Sequence, residues 1–427
     1  MKNKSIAVIA AIFILELSVI LSWFWMTGDY DEIRFGVWPM SEWLVNYQAG
    51  FVRRGLLGEL IYRLYQGKGL IDAINHLTFY FYCAYCFIFC AIYYFSKIRQ
   101  IKLLIIALLI PGGIYQMAIS ASFFTRKEIL FLLLFGFLCL IYLRAMSLQS
   151  MYRTKWFLIF GLFANIGASL VMLIHEGYFF MSYPFLLALY WIFLKENADS
   201  KILKKGFLIY TCLIPAIFIF CILHHGDSSI SQGIWDSLSL NERLILSPTS
   251  PYTVYGAIGG IGWGQMQNLS TLYGVFASGG WLYWIFFALG NYIILMYICA
   301  HIFNKNLDIY KNSRFFVLIS IPIFLSSCMF VIGSDWGRWI ASSSNHALLL
   351  AFTIATSAYA QSETQHQLSI WPHQLLKRSV ISEKYLFIGI LLYELIFKMP
   401  ECCVQFPYIF IQYNDMLSVI SALMKAY

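Results

Sequence analysis

The stretch Asn46-Tyr-Gln-Ala-Gly-Phe-Val-Arg-Arg-Gly-Leu-Leu-Gly58 places two adjacent arginines, Arg53 and Arg54, among glycines in a chain that is otherwise mostly apolar. A guanidinium group stays charged and presents a planar fork of donors that fits phosphate and carboxylate groups. Apolar residues recur with helical spacing after Gly55, which predicts a short amphipathic helix. Two cations at a helix N-terminus add to the positive end of its dipole, so an anion is favoured there. The alternative is a basic pair that holds lipid headgroups.

The composition around this stretch indicates a membrane protein. Of the 427 residues 60% are hydrophobic and 12% are charged, and the mean hydropathy is +0.71. These values exclude an ordinary soluble domain, and the long unbroken apolar runs exclude the short alternating segments of a transmembrane barrel. The net charge of +8 requires no nucleic-acid partner, because cytoplasmic loops carry excess Lys and Arg. We therefore expect an all-α, polytopic helical integral membrane protein.

Apolar runs of transmembrane length recur along the whole chain. A spanning helix needs about 20 apolar residues, and we expect about eleven (10–12) transmembrane helices. They are predicted at about 6–26, 77–96, 103–121, 129–143, 156–174, 177–194, 206–222, 280–300, 315–333, 339–359 and 385–400. The sequence leaves open whether a further apolar segment at 407–424 spans the membrane.

The distribution of basic residues predicts the orientation. With the N-terminus in the cytoplasm, a majority of the 29 basic residues fall in cytoplasmic segments, as the positive-inside tendency requires. The chain 1–427 then forms a single polytopic membrane domain with two long outer segments, 27–75 with the amphipathic helix and 223–279. Four arginines on the outer side do not follow the positive-inside tendency and need another explanation: Arg53, Arg54, Arg126 and Arg338.

Two polar clusters on the outer side follow or join apolar runs. Asp29-Tyr-Asp-Glu32 follows the first span, and Asp29 is a candidate general base or metal anchor. Its alternative role is a solvated membrane-edge face. Phe123-Phe-Thr-Arg-Lys-Glu128 joins the third and fourth spans, where Arg126 and Glu128 either pair across a site or anchor the helix at the interface.

A third cluster, Leu173-Ile-His-Glu-Gly-Tyr178, lies between two apolar runs with almost no loop. Ionisable residues at such depth are costly and usually face a polar cavity. A histidine beside a carboxylate is able to act as a base or an oriented donor, which makes His175 and Glu176 candidate catalytic residues. The alternative is a structural His–Glu pair that bridges helices.

The fourth cluster is Gly333-Ser-Asp-Trp-Gly-Arg-Trp339. Asp335 and Arg338 are three residues apart and pair on one helical turn. Trp336 and Trp339 are either interface anchors or platforms on which a sugar ring stacks. The predicted topology places all four clusters at the outer membrane boundary, which is also where polar residues generally lie.

Taken together, the arginine stretch, His175-Glu176-Gly177 and Asp335-Trp336-Gly337-Arg338-Trp339 on a many-span scaffold resemble bacterial O-antigen or capsule repeat-unit polymerases of the Wzy type. The resemblance covers the whole chain in architecture and about thirty residues in motif. It implies polymerisation of undecaprenyl-pyrophosphate-linked repeat units at the periplasmic face of the bacterial inner membrane. The arginine-with-distant-glycine pattern of the two large outer loops in that family has no clean match here.

The resemblance implies roles for the candidate residues. Arg53, Arg54, Arg126 and Arg338 would bind the pyrophosphate, and His175, Glu176 or Asp29 would accept the proton of the incoming sugar hydroxyl. Asp335, Trp336, Trp339 and Glu128 would bind or support the sugar. No cofactor and no metal are expected, although the acidic Asp29–Glu32 cluster leaves a metal open. The implied partners are the lipid-linked glycan, membrane lipid, a chain-length regulator and a flippase, with no nucleic acid.

Other functions remain open at this point. A GT-C-like glycosyltransferase that uses a polyprenyl-phosphate sugar also carries acids just after its first span, and Asp31 or Glu32 would then bind a metal. A lipid-linked-oligosaccharide flippase, which is not an enzyme, ranks lower because its charges should follow a central path.

Overall fold

The computed structural model describes residues 2–27, 36–96, 98, 100–303, 313–331, 333–357 and 383–402. Every regular element of more than one residue in these ranges is a helix, as the composition predicts. The predicted carboxylate cluster 29–32, with Asp29, and the apolar segment 407–424 lie outside the described residues. The α-helices are α1 Lys2–Thr27, α2 Val37–Trp43, α3 Gly55–Tyr65, α4 Leu70–Phe95, α5 Ile101–Leu109, α6 Ile114–Ile119, α7 Ala121–Phe124, α8 Glu128–Met146, α9 Thr154–Leu162, α10 Ala168–Ile174, α11 Tyr178–Met181, α12 Tyr183–Glu196, α13 Lys201–Leu223, α14 Ser228–Ser237, α15 Leu240–Leu246, α16 Gly256–Ile261, α17 Gln265–Ala277, α18 Trp281–Phe303, α19 Ser313–Ser327, α20 Trp336–Ile354 and α21 Glu383–Ile396.

Seven segments of the described chain are long and apolar enough to cross a membrane. They are Asn3–Trp25, Leu70–Phe95, Glu128–Met146, Thr154–Ile174, Lys201–Leu223, Trp281–Ile302 and Arg314–Val331. Each coincides with a predicted span, and the fourth predicted span continues past residue 143 to Met146. The protein is therefore a helical, multi-pass membrane protein, while the total of about eleven spans stays a prediction.

Two of the other predicted spans are interrupted. In the predicted span 103–121, α5 ends at Leu109 and α6 begins at Ile114, because Pro111-Gly112-Gly113 cannot continue the helical hydrogen bonds. Side-chain amides replace those bonds: Asn291 donates to Pro111 O at 2.9 Å and Asn345 donates to Gly112 O at 2.8 Å. Irregular backbone at membrane depth requires such buried partners.

The second interruption separates α11 from α12 within the predicted span 177–194. Ser182 lies between them, and Pro184 occupies the first turn of α12, where its missing N–H leaves no bond unmade. A π-helical turn, Phe163–Gly167, joins α9 to α10 without ending the span.

The centre of the molecule is α20. Every residue from Trp336 to Ile354 is buried, and α4, α8, α12, α18 and α19 pack against it. Its polar run Ser342–His346 explains why this helix is less apolar than the seven spans although it is more deeply buried. Its N-terminus, with Arg338, lies at the same end of the molecule as the N-terminus of α8, with Glu128.

The two long polar segments are largely helical. α2 and α3 occupy the segment predicted at 27–75, and α3 confirms the amphipathic helix predicted after Gly55. The segment 223–279 contains α14 to α17. Gly58 allows α3 to cross the end of α2, because a Cβ there would lie 2.0 Å from Val45 O.

Candidate functional site

Charged side chains from widely separated parts of the chain meet at one end of the helices. We call this group the charge cluster, and its members are Glu42, Arg53, Arg54, Arg126, Lys127, Glu128, His175, Glu176, Asp335, Arg338 and Glu401. Five side chains are basic and five are acidic, so their formal charges cancel when His175 is neutral. The structure thus brings together residues from three of the four predicted polar clusters and from the arginine stretch.

Arg53 and Arg54 share one carboxylate, Glu176. Arg54 donates from Nε at 2.9 and 3.0 Å and from Nη2 at 2.6 Å to Glu176, and Arg53 Nη1 lies 3.1 Å from the same group. Arg54 adopts the left-handed region, with φ 69°, which is uncommon for a residue with a side chain. The next residue is glycine, and a Cβ on Gly55 would lie 2.2 Å from the ring of Tyr47, so a larger residue would displace that ring. The sharp turn that aims both arginines at Glu176 therefore carries local strain.

Glu42, on α2, is the hub of the cluster. Its carboxylate is completely buried and lies 3.0 Å from His175 Nε2, 3.4 Å from Arg54, 3.6 Å from Arg126 and 3.7 Å from Arg338. Burial alone would raise the pKa of Glu42, but His175, Arg338 and Arg54 hold that pKa well below its usual value. Glu42 is therefore a fixed negative charge.

His175 ends α10 in an extended conformation, and its two ring nitrogens have different contacts. The backbone N–H of Gly177 donates to Nδ1 at 2.9 Å, so a neutral ring carries its proton on Nε2, which faces Glu42. The only lone pair of the ring is thus occupied. Nε2 and Glu42 lie close together without meeting hydrogen-bond geometry, so the predicted roles of His175 as an oriented donor or as a base stay predictions. A role as base requires Nδ1 to lose its bond from Gly177.

On the other side of the hub, Arg338 joins α20 to α8. Its guanidinium pairs with Glu128 and, at 2.8 Å, with Asp335 on the same helical turn. Arg126 pairs with Glu401. Burial lowers the pKa of Arg126 to about 10, with the charge of Arg338 adding to the effect.

Lys127 links the backbone at Arg54 to the backbone at the end of α10, next to His175 and Glu176. Its Nζ is completely buried and donates to Arg54 O at 3.0 Å and to Ile174 O at 3.3 Å. Burial lowers the pKa of this amine to about 8. The lysine holds the turn of Arg54 against the end of α10, where His175 and Glu176 follow.

The side chains of the charge cluster differ in their exposure. The side chains of Arg53 and Arg54 are 23% and 27% exposed, whereas those of Glu42 and Arg338 are 0% and 4% exposed. Asp335 is also partly exposed. Arg53 and Arg54 are thus the most exposed basic side chains of the charge cluster, and an anionic molecule would contact them before the buried ones.

The tryptophans predicted beside this site do not present an open face. Trp336 contacts Phe276 and Trp284, and Trp339 stacks on Phe330 with ring centroids 5.9 Å apart. Both indoles are about 5% exposed. Their contacts are those of packed side chains, and the sugar-stacking role stays a prediction that this packing does not favour.

Sequence reasoning missed Glu42, Lys127 and Glu401. A signal existed for Glu42, which is the one charged residue in the helix Val37-Trp-Pro-Met-Ser-Glu-Trp43. Lys127 lies between the two predicted site residues Arg126 and Glu128. For Glu401, separated from Arg126 by most of the chain, no local pattern indicated the pairing.

Among the described residues no group of three or more His, Cys, Asp and Glu side chains is arranged to hold a metal ion. Comparison with family models, with curated proteins and with solved structures gives no match. The function is therefore argued from the chemistry of the charge cluster.

Proposed function

We propose that the protein is a glycosyltransferase that polymerises undecaprenyl-pyrophosphate-linked oligosaccharide repeat units, as in O-antigen or capsule synthesis, at the periplasmic face of the bacterial inner membrane. The observation that carries the proposal is the arrangement of Arg53 and Arg54. Both guanidiniums are partly exposed, lie side by side on a strained turn and share the single carboxylate of Glu176. Phosphate oxygens fit the same donors and offer more acceptors than one carboxylate.

If a phosphate group displaces the Glu176 carboxylate from Arg53 and Arg54, binding of the donor substrate also prepares Glu176 for proton transfer. Burial alone would raise the pKa of Glu176, but the charges of Arg54 and Arg53 outweigh it and hold that pKa well below its usual value, so the paired carboxylate is a weak base. When a pyrophosphate takes over the two arginines, Glu176 loses those charges as direct partners and its pKa rises. The freed carboxylate then becomes a competent base beside the bound donor.

The proposed reaction uses that base once. The acceptor sugar hydroxyl forms a bond to the anomeric carbon of the donor, the bond from that carbon to the pyrophosphate oxygen breaks, and Glu176 takes the hydroxyl proton. Arg53 and Arg54 stabilise the negative charge that develops on the leaving pyrophosphate. Glu42 and Lys127 hold His175 and the arginine turn in place, and Arg126 and Arg338 are buried behind them, each paired with acidic side chains.

A GT-C-like glycosyltransferase that uses a polyprenyl-phosphate sugar is the alternative enzyme. It depends on a metal held by Asp31 or Glu32, and a chelator that stops polymer synthesis would favour it. The flippase ranks below both, because the buried polar side chain of Asn345 on α20 bonds the interrupted backbone at Gly112 and so serves packing.

The test compares Arg53→Lys and Arg54→Lys with Arg63→Lys. Arg63, on the same loop and helix segment, also pairs with a glutamate, Glu59, but its side chain is 76% exposed. A lysine keeps the charge and loses the bidentate fork. We expect at least one of the first two variants to lose polymer by about 100- to 1000-fold in rate, with Arg63→Lys unchanged.

The readout is the length distribution of surface polysaccharide on a gel, together with the amount of protein in the membrane. Normal chain lengths in both Arg53→Lys and Arg54→Lys would refute the phosphate-binding role and leave the pair as headgroup anchors. Loss of the protein itself is separated from loss of activity by the membrane level.

A further inference from the structure

Helix α17, Gln265–Ala277, has three distinct faces. Leu272 and Val275 face the protein, where Val275 is buried and Leu272 is partly buried against the core. A second face carries small or polar exposed residues, Gln267, Ser270, Gly274 and Ala277. The third face is a stripe of large apolar side chains that the protein leaves open.

The stripe consists of Met266, Leu269, Tyr273 and Phe276, at the helical spacing of three, four and three residues. Their side chains are 79%, 56%, 74% and 48% exposed. Helical geometry of 100° per residue places the stripe within about one quarter of the circumference, between the buried face and the polar face. An exposed contiguous stripe of this kind marks an interaction surface.

The chain continues from this helix directly into a transmembrane span. Ser278, Gly279 and Gly280 alone separate α17 from α18. α18 is long and apolar enough to cross a membrane, and its exposed side chains Leu282 and Ile285 would then face lipid. The apolar stripe and the lipid-facing surface of α18 therefore belong to adjoining parts of the molecule. α17 contains no charged residue, so no ion is desolvated when the stripe enters a lipid environment.

We propose that α17 is an interfacial helix whose stripe of Met266, Leu269, Tyr273 and Phe276 inserts into the lipid leaflet at the charge-cluster end of the protein. The polar face with Gln267 and Ser270 then points to water and Leu272 and Val275 hold the helix on the protein. Such helices bury their apolar face about 5–10 Å into the boundary between headgroups and acyl chains. The proposal does not depend on the reaction catalysed.

A position beside the site follows from one contact. Phe276, the last residue of the stripe, contacts Trp336 with ring centroids 5.2 Å apart, and Trp336 is two residues from Arg338 of the charge cluster. The inserted helix thus borders the cluster, and lipid at its stripe lies next to the N-terminus of α20.

The test is spin-label accessibility in the full chain reconstituted into phosphatidylglycerol–phosphatidylethanolamine vesicles. The label is attached through an encoded keto amino acid, so that the native cysteines remain. Labels at Leu269 and Tyr273 probe the apolar stripe. Labels at Gln267 and Ser270, on the polar face of the same helix, are the matched controls. Oxygen concentrates in the bilayer and a nickel chelate in water, so their accessibility ratio reports depth.

We expect labels at 269 and 273 to lie about 5–10 Å below the phosphate level, and labels at 267 and 270 to be accessible mainly to nickel. Equal nickel accessibility at all four positions would overturn the proposal and place the stripe in water. Low accessibility of 269 and 273 to both reagents would also overturn it, because a protein partner would then cover the stripe. A normal elution profile in detergent confirms that each labelled chain is folded.

Discussion

Glu42 and Glu196 mark the two opposite ends of α8 and are held in different ways. At the N-terminal end, Glu42 is completely buried among His175, Arg126 and Arg338. At the C-terminal end, Glu196 is partly buried and accepts hydrogen bonds from Tyr142 at 2.5 Å and Ser357 at 2.6 Å.

The difference lies in the chemistry of the partners. At the C-terminal end, hydroxyl groups from α8 and from the residues just after α20 donate to the carboxylate of Glu196 on α12. At the N-terminal end of α8 the protein buries both acidic and basic side chains, and removing their charges from water costs free energy. Apolar side chains of similar size often replace such buried ion pairs without loss of stability. A cost of that kind, at the end where Arg53 and Arg54 are partly exposed, is the expected property of a site that acts on a charged molecule.

The largest effect is expected from Glu42→Gln. The amide removes the negative charge that faces Arg54, Arg126 and Arg338, and breaking a buried ion network costs about 3–5 kcal/mol. We expect a clear fall in the apparent Tm of the detergent-solubilised protein, measured by fluorescence-detected size exclusion after heating. An unchanged Tm would mean that the negative charge of Glu42 is not needed to keep Arg54, Arg126 and Arg338 stably in the folded protein.

A smaller, pH-dependent effect is expected from Lys127→Met. The change leaves Arg54 O and Ile174 O without their donor, at about 1–3 kcal/mol. In the wild type the folded pKa of about 8 lies below the usual value of 10.5, so the unfolded chain binds more protons between these pH values. Stability from this group therefore rises as pH rises through 8.

The measurable quantity is the difference in apparent Tm between the wild type and Lys127→Met. We expect it to grow in favour of the wild type from pH 7 to pH 9. Lys204→Met, at an exposed position on α13, should show no such trend. A difference that shrinks with rising pH would show that the buried amine is not the titrating group.

The smallest effect is expected from Glu196→Gln. The amide oxygen still accepts from Tyr142 or Ser357, so the loss should be about 0.5–1.5 kcal/mol, the net value of one hydrogen bond. The same thermal assay compares it with Glu42→Gln. If Glu196→Gln proved as damaging as Glu42→Gln, the contrast between the two ends would fail.

Hydropathy was sufficient to predict much of the fold. Seven predicted spans appear as continuous apolar helical segments, because burial in lipid requires length and apolarity that are visible locally. The prediction of one continuous span at 103–121 missed the interruption at Pro111-Gly112-Gly113, although these residues are helix breakers. What the sequence did not show was that Asn291 and Asn345, far along the chain, would bond the interrupted backbone.

The charge cluster was predictable in part, because some of its members also give a signal that is local in the sequence. Arg53 and Arg54, His175 and Glu176, and Asp335 and Arg338 attract attention because each pair interrupts an apolar context. Glu42 and Glu401 are single acids whose importance depends on partners that are distant in sequence. Periodicity contains no information about such long-range pairings.

The contact between Arg126 and Glu401 has a consequence for biosynthesis. Its two halves are 275 residues apart, and Gln116 bonds the backbone N–H and carbonyl of Met399 in the same region. At a translation rate of about 5–20 residues per second, roughly 14–55 s pass between synthesis of the two partners. The first eight helices are thus made well before Glu401, and the charge cluster is completed only after Glu401 has been synthesised.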